Sequence, residues 1–286
     1  MIFDFLSHLL AGLVAVLLSL FGITADTYSS DYQKNSLALN SPLCVHYIDV
    51  GQGDSIYVKL PNGENLLIDA GDNDAGVNVT GYLKDLKVKK IDYLVATHPH
   101  SDHIGGMDDV INKFDIETMY MPDVTHNTST FSSLLDAIEK NNVKLKVAKS
   151  GVSILKEENL SVDILSPDGK TYEDMNNYSA VVKITYGDTA FLFMGDAEKV
   201  IENKLKSGLK SDVIKVGHHG SDTSTGEKFL QRVSPEVAVI SVGENNDYSH
   251  PHNEVVSRLK KHNINIFRTD YDGTVVIGSD GEKIVY

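Results

Sequence analysis

Cysteine is almost absent. The 286 residues hold a single one, Cys44. That excludes every intrachain disulfide and every zinc site built from thiolate pairs. A chain of this length buries enough surface to fold without covalent staples. Any metal it binds must therefore be held by His, Asp and Glu. Basic residues are scarce too: 26 Lys and Arg stand against 40 Asp and Glu, for a net charge of −14. A protein that coats nucleic acid by neutralising phosphates has the opposite balance. An enzyme that meets phosphates through bound metal ions does not need that balance. Apolar runs are short, which excludes a multi-span membrane protein. With 41% hydrophobic and 23% charged residues, the composition is globular, neither disordered nor collagen-like. The length suits one large domain or two small ones.

The one uncharged apolar run covers residues 9–23, LLAGLVAVLLSLFGI. Its length is that of a signal-peptide core and short for a full membrane span. Residues 1–25 are expected to be a signal peptide, with Ala25 just before a cleavage point, or a membrane anchor. Met1 to His8 carry no Lys or Arg, which is atypical of a signal, and a buried core helix is the bland alternative. Either export reading makes the protein extracytoplasmic, secreted or tethered. Residues 26–41 are polar and aperiodic and read as a linker. The folded domain is expected over 42–286.

Within it, periodicity predicts strands at 43–50, 65–69 and 91–96, with Asn62-Gly63 suiting a two-residue type I′ hairpin. Helices are expected over 78–88, 104–114 and 130–141. The second half repeats the rhythm, with strands at 180–186, 190–194, 213–216 and 237–242. Helices are expected over 197–206, 225–233 and from Asn253, a candidate cap, to about His262. Strands at 264–267, 274–277 and 283–286 follow. The alternation Lys144, Leu145, Lys146, Val147 suits an edge strand. Interleaved strands and helices imply sheets covered by helices.

Histidine is what the chain does have. Seven of its 11 histidines fall in three short clusters, each near a strand end, where sites on rigid scaffolds are built. The first is Thr97-His98-Pro99-His100-Ser101-Asp102-His103-Ile104-Gly105-Gly106. His98 and His100 can point the same way in an extended loop, and imidazoles with a carboxylate suit zinc, manganese or iron. Gly105-Gly106 at a helix start costs stability and fits a close backbone approach. Gly217-His218-His219-Gly220-Ser221 and Ser249-His250-Pro251-His252-Asn253 are the other two. Asp69, in Ile68-Asp69-Ala70-Gly71, and Asp196, in Met194-Gly195-Asp196-Ala197-Glu198, end apolar runs. Asp69 suits a turn as well as a site, and Asp196 suits a helix N-cap as well as a metal.

Together these segments resemble the metallo-β-lactamase superfamily. More narrowly, VGQGDS, LLIDAG, THPHSDHIGG, NNYS, FLFMGDAE, VGHHGS, SHPH and RTDYDG resemble the soluble domain of ComEC-type DNA-internalisation proteins, over about residues 43–286. The resemblance implies an α+β fold, the αβ/βα four-layer sandwich. It implies one or two divalent metal ions, zinc or manganese. His98 and His100 would hold the first; Asp102, His103 and His219 the second; Asp196 would bridge them. Asp69 would orient a ligand imidazole. The superfamily's third His of the first site is missing, and Asn176-Asn177-Tyr178-Ser179 stands there, so that site would be weak, filled only with substrate, or completed by an Asn or Ser oxygen.

The chemistry implied is attack by a metal-activated water on phosphorus or a carbonyl carbon. Asp102 counts with His250 and His252 as catalytic, the two histidines as proton donors to the leaving oxygen. His218, beside a ligand, and Ser221 are candidates to contact a phosphate. Arg268 would do the same or pair with Asp270 or Asp272. The expected partner is a phosphodiester, single-stranded DNA included. An ester, thioester or lactone hydrolase and a non-catalytic metal-holding domain are the alternatives.

Overall fold

The computed structural model describes residues 36–286. The signal or anchor expected over 1–25, with its 9–23 run, and most of the linker lie outside the described residues. Among the described residues no helix is long and apolar enough to cross a membrane.

The strands are β1 (Leu43–Tyr47), β2 (Ile56–Lys59), β3 (Asn65–Ile68), β4 (Lys90–Val95), β5 (Asp115–Met121), β6 (Leu145–Val147), β7 (Val152–Lys156), β8 (Leu160–Ile164), β9 (Val182–Tyr186), β10 (Thr189–Phe193), β11 (Val213–Lys215), β12 (Val237–Ile240), β13 (Asn265–Arg268), β14 (Val275–Ser279) and β15 (Ile284–Val285). They form an eight-stranded sheet, β15-β14-β1-β2-β3-β4-β5-β6, and a seven-stranded sheet, β13-β12-β11-β10-β9-β8-β7.

Each central strand is buried on both faces, so it reads as a continuous apolar run rather than an alternating one. In β3, Leu66 and Ile68 point into the core between the sheets, while Leu67 points under the helices. In β10, Phe191 and Phe193 face the other sheet, while Leu192 faces its own helices. Helices Gly76–Asp85, Met107–Lys113 and Ser129–Lys140 cover the first sheet, and Glu227–Val233 and Asn253–Lys261 the second. The layers run helix, sheet, sheet, helix: the four-layer αβ/βα sandwich.

In both sheets the strands that matter are parallel: β3 through β6, and β10 through β13. Loops at the carboxyl ends of parallel strands are where open α/β sheets bind ligands. Asp69 follows β3, residues 97–103 follow β4, Asp196 follows β10, His218 and His219 follow β11, and residues 241–252 follow β12. The fold thus brings five loops from two sheets to one end.

Several local expectations differ. The β2–β3 turn is not type I′, because only Gly63 has a positive φ, whereas type I′ needs two such residues. Leu60 and Glu64 pair across a three-residue loop. The helix expected at 104–114 is two pieces, Ser101–Ile104 and Met107–Lys113. They break at Gly105-Gly106, where a Cβ would lie 2.2 Å from Asn73 N or 2.4 Å from Ala70 O. The close approach inferred for these glycines is to the turn that carries Asp69. The helix expected at 197–206 keeps only Lys199–Glu202. Asn253 is not a cap: His252 is the N-cap residue, and its side chain makes no capping bond. Strands β2, β5, β7 and β8 were not expected; Asp115, Glu117, Lys156 and Asp163 break the apolar runs of the last three. β6 is an edge strand, as its lysine alternation indicates.

Candidate metal centre

Four side chains converge from three loops. One ligand atom from each of Asp102, His103, Asp196 and His219 lies within 4.8 Å of the others. His103 Nε2 is 3.3 Å from Asp196 Oδ2, and His219 Nε2 is 3.4 Å from the same oxygen. His219 Nε2 is also 3.2 Å from Asp102 Oδ2. Asp196 Oδ2 reaches the other side as well, 3.8 Å from His98 Nε2. His98 Nε2 is in turn 3.0 Å from His100 Nδ1.

The back of each imidazole is tied. His219 Nδ1 donates to the Ser241 carbonyl at 2.9 Å, which fixes one proton there and turns Nε2 toward the cluster. His103 Nδ1 is 2.8 Å from Asp69 Oδ2. Asp69 is itself held by the Thr97 amide at 2.8 Å and the Thr97 hydroxyl at 2.6 Å. Beneath lies a pair the motifs did not flag. Lys215, fully buried, forms an ion pair with buried Asp54. Asp54 lies 3.5 Å from His219 Nδ1 and 3.8 Å from His103 Nδ1. Lys215 Nζ also donates to the Gly195 carbonyl at 3.3 Å, one residue before Asp196.

Backbone strain aims the second pair of histidines. His218 and His219 both sit in the left-handed region, at φ 50° and 51°, a conformation that costs a non-glycine residue on the order of 1 kcal/mol or more. His218 N donates to the Gly195 carbonyl at 3.0 Å, and this with the Ser241 bond holds them there. His218 Nε2 comes within 3.8 Å of Asp196 Oδ2.

Charge is concentrated on one side. Burial alone would raise the Asp102 and Asp196 carboxyls, but His103 and His219 hold both below the usual carboxylate range. Burial opposes charge on His103 and His219 too, yet the carboxylates raise both, His219 to about 9. The carboxylates thus draw positive charge into the site, which a divalent ion would supply in place of the imidazole protons. His103 Nε2 and Asp196 Oδ1 are buried with no hydrogen-bond partner. Unpaired buried donor atoms of N and O type, with their ring backs tied, fit a metal of the zinc or manganese class. On the other side, burial lowers His98 and His100.

The segment that stands where a third His was expected lies against this weaker side. Ser179 Oγ is 3.4 Å from His98 Nδ1 and accepts from the Asp196 amide at 3.0 Å. Asn177 Nδ2 donates to Glu198 at 2.9 Å, bracing the Asp196 turn. Asn176 Nδ2 is 3.4 Å from His218 Nε2, while its Oδ1 is buried without a partner.

The cluster forms the floor of a cleft of about 400 Å³, whose walls include Gln52, His126, Thr128, Asn176, Tyr248 and His250. His250 lies edge-on to His218, with ring centres 5.5 Å apart. Burial and the surrounding imidazoles lower it to about 4. Three candidates are not on the cleft wall. His252 Nδ1 accepts from the Asp222 amide at 2.9 Å. Ser221 is buried, its hydroxyl 3.1 Å from the Thr223 hydroxyl. Arg268 forks onto Asp270, with Nε 2.9 Å from Oδ1, and its guanidinium stacks on the Tyr271 ring. Of the readings left open for Arg268, the ion pair with Asp270 is the one seen. Sequence reasoning missed His126, Tyr248, Asp54 and Lys215. His126 stands alone in a polar loop, Tyr248 opens the Tyr248–Asn253 cluster whose histidines carry the signal, and Lys215 sits in an apolar strand where a buried partner cannot be read. Asp54 lies in VGQGDS, which was quoted for its likeness without a role.

Comparison with known proteins agrees with this geometry. The family description "Metallo-beta-lactamase superfamily" matches residues 48–244. ComE operon protein 3 of Bacillus subtilis (strain 168) is 33% identical over 251 residues, 81% of this chain and 32% of that protein. Competence protein ComA of Neisseria gonorrhoeae is 31% identical over 235 residues, 80% of this chain and 31% of that protein. The chain thus spans about a third of the length of these relatives. Among solved structures, CmlA, a diiron beta-hydroxylase from Streptomyces venezuelae, superposes with a TM-score of 0.53 at 14% identity, over 79% of this chain and 52% of that one. At that identity the likeness concerns the fold alone.

Proposed function

The chain belongs to the metallo-beta-lactamase superfamily, and from that premise we propose that it is a metal-dependent phosphodiesterase acting on DNA or another phosphodiester. The observation that carries the proposal is the tied orientation of His103 and His219, whose Nε2 atoms face Asp102 and Asp196. The relatives bear the names of competence proteins, and the sequence motifs resemble DNA-internalisation proteins; both favour a phosphodiester over a carboxylic ester. The apolar run at 9–23 would place the activity outside the cytoplasm, exported or tethered.

Asp102, His103, Asp196 and His219 would hold one divalent ion, and His98 and His100, sharing Asp196, a second, looser one. A bound ion supplies a water acidic enough to ionise near neutral pH and a Lewis acid for the phosphoryl oxygens. The chain's own residues do the rest. Asp69 and the Ser241 carbonyl accept at each Nδ1, so that Nε2 is the ring nitrogen turned toward a bound ion. Asp54 lies behind both imidazoles, and Lys215 ties it to the Gly195-Asp196 turn, so the carboxylates need not reorganise as charge develops. His250, uncharged at neutral pH, presents a ring N–H toward a leaving oxygen at the cleft mouth.

The test is the purified protein with Mn²⁺ or Zn²⁺ on bis(p-nitrophenyl) phosphate, single-stranded DNA and a panel of lactones. Phosphodiester turnover that disappears in Asp102→Ala and His103→Ala is the expected result. Turnover on lactones alone would overturn the proposal in favour of an ester hydrolase. Metal binding with no turnover on any substrate would point to a non-catalytic domain.

A further inference from the structure

No lysine or arginine is among the described residues that line the cleft; its walls are imidazoles, amides, hydroxyls and one phenol. A protein that tracks a nucleic-acid backbone lines its groove with cations. This cleft has none, and the nearest buried cation, Lys215, is already paired with Asp54. The positive charge available to a phosphate is confined to the floor.

What the mouth offers is a flat apolar face. Tyr248 is 63% exposed, yet it is not loose. Its ring lies 22° from the plane of His250, with centres 5.7 Å apart. Asn246 Oδ1 accepts from the amides of both residues, at 3.1 and 3.0 Å. Its Nδ2 donates to the His250 and Gly243 carbonyls at 2.7 and 3.0 Å. The loop is therefore set before any ligand arrives. An exposed aromatic face held rigid beside a polar cleft contributes nothing to a core, and aromatic faces of this kind hold bases by stacking. A volume of about 400 Å³ is in the range of a single small-molecule ligand, which is one nucleoside rather than a length of strand.

We propose that Tyr248, backed by His250, is a stacking surface for a nucleobase, and that the cleft recognises one nucleoside phosphodiester through its base rather than a polyanion through its charge. This rests on the phosphodiesterase reading and narrows its substrate class.

The test is calorimetric binding, which needs no turnover. The probes are the methyl diester of thymidine 5′-phosphorothioate and its base-free deoxyribose counterpart, each titrated into the Mn²⁺-loaded protein. Loss of the base should weaken binding to the wild type and to Tyr248→Phe by about fivefold or more. Tyr248→Ala should bind the two ligands alike. A single-stranded 12-mer should show a dependence of log Kd on log salt no steeper than that of the single-nucleoside diester, since each further phosphate neutralised would add about 0.7 to the slope. Equal affinity of the wild type for both ligands, no binding of either, or a 12-mer slope reporting several phosphates would each overturn the proposal. Base-dependent binding without hydrolysis of any diester would instead overturn the phosphodiesterase reading and leave the stacking surface standing. Hydrolysis with base-independent binding would do the reverse.

Discussion

The two sides of the cleft floor use the same residue type in different ways. On one side, His103 and His219 meet two carboxylates, and each has its Nδ1 tied by a carboxylate or a carbonyl. On the other, His98 alone comes near a carboxylate, 3.8 Å from Asp196, with His100 behind it, and His98 Nδ1 faces nothing stronger than the Thr97 and Ser179 hydroxyls, at 3.1 and 3.4 Å. Burial is nearly complete for His98, His103 and His219, so burial does not separate the two sides. Charge density and the anchoring behind the ring do. The comparison teaches that equal numbers of imidazoles give different electrostatic settings, set by the carboxylates and fixed acceptors around them.

The largest expected effect comes from removing what the sides share. Asp196→Asn takes the bridging charge from both, and diester turnover should fall on the order of 10³-fold or more, with bound metal lost by elemental analysis. If metal content is unchanged, the two sides are not joined through Asp196. Next is the brace beneath. Lys215→Met leaves Asp54 buried and uncompensated, which should cost about 3–5 kcal/mol in urea unfolding and weaken metal binding about 10- to 100-fold. The double variant Asp54→Leu/Lys215→Met should regain most of the stability but not the metal affinity. A double variant that regains both would make the pair purely structural.

A smaller change should sharpen the asymmetry. In the wild type one metal equivalent should survive dialysis against chelator-treated buffer and the second should not. Asn176→His places an imidazole where a buried amide oxygen lacks a partner, and the second equivalent should then be retained. Two equivalents retained by the wild type would contradict the asymmetry itself.

The smallest effect isolates burial from pairing. Glu202 is buried without an imidazole, accepting from the Thr225 and Gly226 amides, and burial raises it from 4.5 to about 7. Asp196, buried among imidazoles, moves the opposite way. Between those pH values the folded protein holds a proton on Glu202 that the unfolded chain has lost, so stability declines as pH rises through that window. The contribution is on the order of 3 kcal/mol. Glu202→Gln should flatten the decline in Tm between pH 4.5 and 7. An unchanged profile would show that another group titrates there.

Much of the site is written in short motifs because strand ends and tight turns keep neighbours in sequence together in space. His98, His100, Asp102 and His103 occupy one loop, and spacing alone suggests that they act together. Glycines point to close approaches, as Gly105-Gly106 does toward Ala70 and Asn73. Partnerships across the two sheets are not legible in this way. Asp54 and Lys215 are 161 positions apart, one in a loop and one in an apolar strand, and nothing local marks either as half of a pair. Arg268 illustrates the reverse case: its partner Asp270 was a candidate from sequence because it lies two residues away.

By itself the sequence limited which kinds of atom could hold a cation. One cysteine and clustered histidines leave nitrogen and oxygen donors only, and that follows from composition and spacing. It also marked the central strands, such as β3, β4, β10, β11 and β12, through runs buried on both faces. Only the tertiary structure decided which donors meet on the stronger side, which wall carries Tyr248 and His250, and which candidates, Arg268, Ser221 and His252, turn elsewhere. Those outcomes depend on two sheets packing face to face so that the ends of their parallel strands coincide. That packing energy is spread over the whole core, so no local segment encodes it.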